Sequence, residues 1–118
     1  MATAALNLRA VCNDGTRDTL IWASEGLSIA NTVGNGGKLE TVSLAAAFNA
    51  LSPPTGATLA LIRWVSGTGT WTLKSVTGDA GIAMGTPSAT SPPVCVPLSS
   101  ASIGITASAT GEAEVLWL

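Results

Sequence analysis

Apolar and polar side chains alternate in short runs along most of the chain, the two-residue period of half-buried strands. The clearest instance spans residues 59–76: Leu-Ala-Leu-Ile-Arg-Trp-Val, a Ser-Gly-Thr-Gly loop, then Thr-Trp-Thr-Leu-Lys-Ser-Val. It reads as a β-hairpin. A loop at residues 66–69 sets Val65 opposite Thr70, Trp64 opposite Trp71 and Ile62 opposite Leu73. Ala60, Ile62 and Trp64 then share a face with Trp71, Leu73 and Ser75. Leu61, Arg63 and Val65 fall on the other face with Thr70, Thr72 and Lys74. A cross-strand indole pair would fix this register, because a one-residue slip sends both rings to the wrong side.

The same alternation predicts further strands. Residues 4–12 place Leu6, Leu8, Ala10 and Cys12 on one face, and Asn13-Asp14-Gly15 then forms a turn. A second strand is expected over residues 19–23, broken by Ser24-Glu25-Gly26, and a third over 27–33, ended by the glycine-rich run 34–37. Residues 38–44 set Leu39, Thr41 and Ser43 against Glu40, Val42 and Leu44. The alanine-rich run 45–50 suits one or two helical turns on propensity. Pro53 and Pro54 force an extended approach to the central hairpin. Gly78-Asp79-Ala80-Gly81 is a turn, 82–84 a short strand, and the proline-bearing stretch 86–93 a loop. Residues 94–98 make a strand that Pro97 confines to an edge or an end. Two final strands alternate with Ile103, Ile105, Ala107 and Ala109 inward, then Ala113, Val115 and Trp117 inward. The fold class expected is all-β: one antiparallel β-sandwich or small barrel over residues 1–118, with at most one short helix and an extended N-terminal segment over 1–5.

Composition sharpens this picture. Hydrophobic residues make up 47% of the chain and charged residues only 10%, against roughly 25% charged in a typical soluble protein. Ala, Ser, Thr and Gly must therefore cover most of the surface. Such a surface is cheap to desolvate and suits packing against copies of itself. The net charge is −2 and the Lys and Arg residues are scattered, so neither nucleic acid nor an anionic membrane is an expected partner. No apolar run approaches the roughly 20 residues of a membrane span. The N-terminus lacks a basic start followed by an apolar stretch, so no signal peptide is expected and the chain should fold in a cytoplasm. Cys12 and Cys95 stand far apart without CxxC spacing. A disulfide would need an oxidising compartment, and the expectation is two small buried thiols.

The chain has no His and no Tyr. That removes the commonest general base, the commonest zinc ligand and the usual triads, and leaves both thiols without an activating partner. The carboxylate pairs Asp14 with Asp18, and Glu112 with Glu114, sit beside a turn and on an outward strand face, where solvated charges are expected rather than catalysis. The glycine run before Lys38 lacks the rest of a phosphate loop. Asp79 alone is a poor calcium site and a good turn stabiliser. No catalytic residue, cofactor or metal is expected, and the chain is not read as an enzyme. Trp22, Trp64, Trp71 and Trp117 are assigned to the core as its main aromatic bulk, with a sugar-stacking platform as the alternative.

Three stretches carry a resemblance: Ser52-Pro-Pro-Thr-Gly-Ala-Thr-Leu-Ala-Leu-Ile62, Trp71-Thr-Leu-Lys-Ser-Val-Thr-Gly-Asp-Ala-Gly-Ile82 and Val115-Leu-Trp-Leu118. Together they resemble small all-β proteins encoded by tailed bacteriophages, mostly virion accessory or structural proteins. The resemblance covers the last two-thirds of the chain and brings no catalytic residue with it. It implies a virion location and a capsid decoration or cement subunit that bridges shell proteins, with trimers favoured because such subunits sit at three-fold positions. Leu61, Val65, Leu116 and Leu118, all expected to face outward, are the interface candidates, with the extended N-terminal segment. A glycan-binding module of a tail or fibre, and a subunit of a tube or filament, are the alternatives.

Overall fold

The computed structural model describes residues 3–13, 15, 18–30, 37–88, 90–98 and 102–118. Ten strands follow in chain order: β1 (Thr3–Asn13), β2 (Asp18–Ala30), β3 (Lys38–Leu44), β4 (Phe48–Leu51), β5 (Leu59–Gly67), β6 (Trp71–Lys74), β7 (Ile82–Gly85), β8 (Val94–Pro97), β9 (Ile103–Ala107) and β10 (Gly111–Trp117). There is no helix among the described residues. The all-β expectation holds.

β1 and β2 pair with each other as a two-stranded antiparallel ribbon. The other eight strands form two antiparallel sheets of four, in the orders β3-β10-β5-β8 and β4-β9-β6-β7. The chain crosses between these sheets at every connection except β6 to β7, and its first and last strands in the set, β3 and β10, are neighbours. This is the strand order of an eight-stranded jelly roll, two Greek keys closed over one core. Leu44, Leu51, Ala60, Ile62, Trp71, Ile103, Ile105, Ala107, Ala113, Val115 and Trp117 fill the space between the sheets.

The central hairpin is not a hairpin. β5 and β6 exist where the alternation places them, but β5 pairs with β10 and β8, whereas β6 pairs with β9 and β7. The chain leaves the first sheet at Gly67 (φ 124°). It is then captured by the second sheet through Thr70 N–H donating to Ser108 Oγ (2.8 Å) and Ser108 N–H donating to Thr70 O (3.0 Å). Gly69 is needed at the crossing, since a Cβ there would stand 2.5 Å from Ala109 N. Trp64 and Trp71 are therefore not cross-strand neighbours; both line one cavity between the sheets. The inward faces were assigned correctly, because Ala60, Ile62 and Trp71 are buried, with Trp64 and Leu73 packed against them.

Two further expectations are corrected. Ser24-Glu25-Gly26 does not break a strand: β2 runs through it, and Glu25 and Gly26 stand opposite Asn7 alone, so the irregularity is a bulge. The alanine run 45–50 is not helical. Asn49 holds it as a turn entering β4: its Oδ1 accepts from Ala45 N–H (2.8 Å), and its Nδ2 donates to the carbonyls of Ala45 (3.0 Å) and Ala47 (2.8 Å). A third donor contact, to Ile105 O (3.2 Å), ties that turn to β9. Tertiary hydrogen bonding outweighs the small helix preference of alanine. β8 is an edge strand ending at Pro97, and Asp79 Oδ2 accepts from the N–H groups of Ser75 and Val76 (3.1 Å each).

Candidate assembly surface

β10 lies inside its sheet, between β3 and β5, and its alternation sets what each face presents. Ala113, Val115 and Trp117 point inward and are fully buried; Glu112, Glu114 and Leu116 point outward. Opposite Leu116 stand Leu39 on β3 and Leu61 on β5, and opposite Leu61 stands Cys95 on β8. These four residues make one row across the full width of the sheet. Leu116 and Leu61 are half-buried by their neighbours, Cys95 is an exposed free thiol, and Leu39 is 63% exposed. Same-face neighbours this close, about 4.5–5.5 Å between Cβ atoms, behave as one apolar strip.

The next row is charged. Glu114 faces Arg63 across the ladder, and the Arg63 guanidinium donates to Glu114 Oε1. Thr41, on the other side of Glu114, continues this polar row. Both ion-pair side chains reach solvent, so the pair adds little stability to the monomer. Its effect is to bound the leucine row on one side.

The four interface candidates separate here. Leu61 and Leu116 are brought together as direct partners in the row. Val65 is exposed, but it is the unmatched residue of a β5 bulge, since Glu112 pairs with Ser66 and Ala113 with Trp64. The ion pair lies between it and the leucines. Leu118 does not face outward into solvent: it is 6% exposed. Its N–H donates to Leu59 O (2.9 Å), and its own carbonyl accepts from Leu59 N–H (3.1 Å) and Thr58 N–H (2.7 Å). The ladder ends at that point and alternation no longer decides exposure. Leu39, which is not among the four candidates, completes the row on β3. Each of Leu39, Leu61 and Leu116 has a polar same-face neighbour two residues away, namely Thr41, Arg63 and Glu114.

Under the row, Trp117 is anchored from its indole edge. Its Nε1–H donates to Glu40 Oε1 (2.8 Å), and Lys38 Nζ lies 3.0 Å from Glu40 Oε2. The indole hydrogen bond first, and the Lys38 ammonium second, hold the Glu40 carboxyl below its ordinary value. Gly37 is also fixed here, because a Cβ would meet Trp117 O at 2.5 Å and Leu118 Cδ2 at 2.9 Å. The rest of the glycine run lies outside the described residues.

Of the aromatic residues assigned to the core, Trp71 and Trp117 are buried and Trp64 is half-buried. The side chains of Trp22, Cys12 and Asp18, all of Asp14, and the segment 1–2 lie outside what is described. Cys95 corrects the expectation of a buried thiol: on edge strand β8 it faces outward. Among the described residues no three His, Cys, Asp or Glu side chains converge to hold a metal ion. Comparison with known proteins returned no matching family model, no matching curated protein and no matching solved structure.

Proposed function

We propose that the chain is a non-enzymatic structural subunit of a tailed-phage virion, a capsid decoration or cement protein that self-associates and bridges shell proteins. The observation that carries this reading is the apolar row Leu39–Leu116–Leu61–Cys95 on the outer face of the β3-β10-β5-β8 sheet. It lies on a chain in which only 10% of residues are charged. Burying that row against another copy removes leucine surface from water and leaves the Arg63–Glu114 pair at the rim, where ion pairs set orientation. Jelly rolls serve both as capsid and as lectin domains, so the fold is compatible with the reading without deciding it. The glycan-platform alternative is the weaker one, since the buried indoles of Trp71 and Trp117 offer no face for a sugar to stack on.

Leu39→Glu tests the surface with little risk to the fold, because the side chain stands mostly in solvent. It should abolish self-association, read by sedimentation, and shift the thermal midpoint by no more than the small effect of a surface substitution. A variant that associates like the wild type would remove this face from the account. Growth of open-ended polymers by the wild type would move the reading to a tube or filament subunit.

A further inference from the structure

On the side where β8 and β7 end their respective sheets, two cavities open between the sheets. One, of about 500 Å³, has an apolar floor of Leu73, Val96, Leu98 and Ile103, with Lys74 and Asp79 in its wall. The other, of about 330 Å³, is lined by Ile62, Trp64, Trp71, Met84 and Val94 with the prolines of the β7–β8 loop. Ile82 is a wall of both. It is also 68% exposed, the most exposed large apolar side chain among the described residues. Both volumes fall in the range of small-molecule sites, and the balance of many apolar walls with few polar groups is typical of them.

The polar groups differ in how they are engaged. Asp79 is occupied by the turn, its Oδ2 accepting from the Ser75 and Val76 amides. Lys74 has no ion-pair partner among the described residues. A lysine without an ion-pair partner among the described residues, in the wall of an apolar cleft that shares Ile82 with a second apolar chamber, suits a molecule with an anionic head and a long hydrocarbon tail. We infer that this side of the sandwich binds a long-chain carboxylate, the head at Lys74 and the tail passing Ile82 into the chamber of Trp64 and Trp71.

The test is a titration of the full chain with saturated carboxylates of eight to fourteen carbons, each below its aggregation concentration, read by calorimetry and indole fluorescence. Each added methylene should tighten binding about threefold to fourfold. The indole signal should respond to the longer chains and not to octanoate. Dodecanoate should bind more tightly than dodecanol or dodecylammonium, and Lys74→Gln should weaken dodecanoate about threefold while leaving dodecanol unchanged. Val94→Phe, which narrows the second chamber, should reduce dodecanoate to the affinity of octanoate. Sedimentation of the protein with phosphatidylglycerol vesicles would assign the same head-and-tail chemistry to a bilayer lipid, and its retention in solution to a free acid. Non-saturable binding, affinity independent of chain length, or preference for dodecylammonium would each overturn the inference. These wild-type readouts decide even if a variant fails to fold.

Discussion

Trp117 shows how one residue links core and solvent in this protein. Its ring is fully buried, yet its N–H reaches Glu40 at the sheet surface. Glu40→Ala would leave a buried donor unpaired and should cost about 1–3 kcal/mol in denaturant unfolding. Glu40→Gln keeps an acceptor and should cost much less. The two also separate by pH. Because the folded carboxyl is held below its ordinary value, its contribution is fully present above the ordinary glutamate range and is lost as pH falls through the lowered folded value. Thermal melts from neutral to acidic pH should therefore decline more steeply for the wild type than for Glu40→Gln; parallel declines would contradict the assignment. Gly104 is a second residue whose identity is dictated by packing. A Cβ there would lie 2.5 Å from the Phe48 ring and 2.7 Å from Asn49 O, so Gly104→Ala should destabilise by about 1–3 kcal/mol through overpacking, measured as a drop in denaturant midpoint.

Among the elements, the chain spells out strands and faces more readily than neighbours. The inward sets of β5, β9 and β10 follow from alternation, because the two-residue period is a local property of a strand. Which strand lies beside which is not local. Trp64 and Trp71 alternate in the same way whether they share a sheet or meet across the core, so the hairpin reading of 59–76 could not be told from a crossing. The decisive contacts are made by Ser108 and Ala109, about forty residues away in the chain. The turn before β4 is hidden for a related reason: Asn49 acts through bonds to Ala45, Ala47 and Ile105, whereas the four alanines of the run 45–50 favour helix on local propensity. Asn49→Ala removes the acceptor of Ala45 N–H and the tie to Ile105 O, while the Ala45 and Ala47 carbonyls keep backbone donors, so it should cost about 0.5–1.5 kcal/mol. It should also raise hydrogen exchange at Ala45 more than in β10. Uniform change across the sheet would point instead to global loosening.

For the whole molecule, the jelly roll joins its ends by pairing β3 with β10 and leaves a sheet whose outer face is divided into a leucine row and a charged row. Half of the surface assignment was readable from the sequence: Leu61 and Leu116 stand together, whereas Leu118 is taken up by the strand end and Val65 by a bulge. Leu39 joins the row only because β3 and β10, the first and last strands of the sandwich, are placed side by side. On the proposed reading, this row is the surface that a second copy would cover. The most direct test is the mass of the protein in solution, measured by light scattering over a concentration series. The account predicts a closed oligomer of fixed size, a trimer being favoured, that persists on dilution into the micromolar range. A strict monomer at every concentration would contradict it.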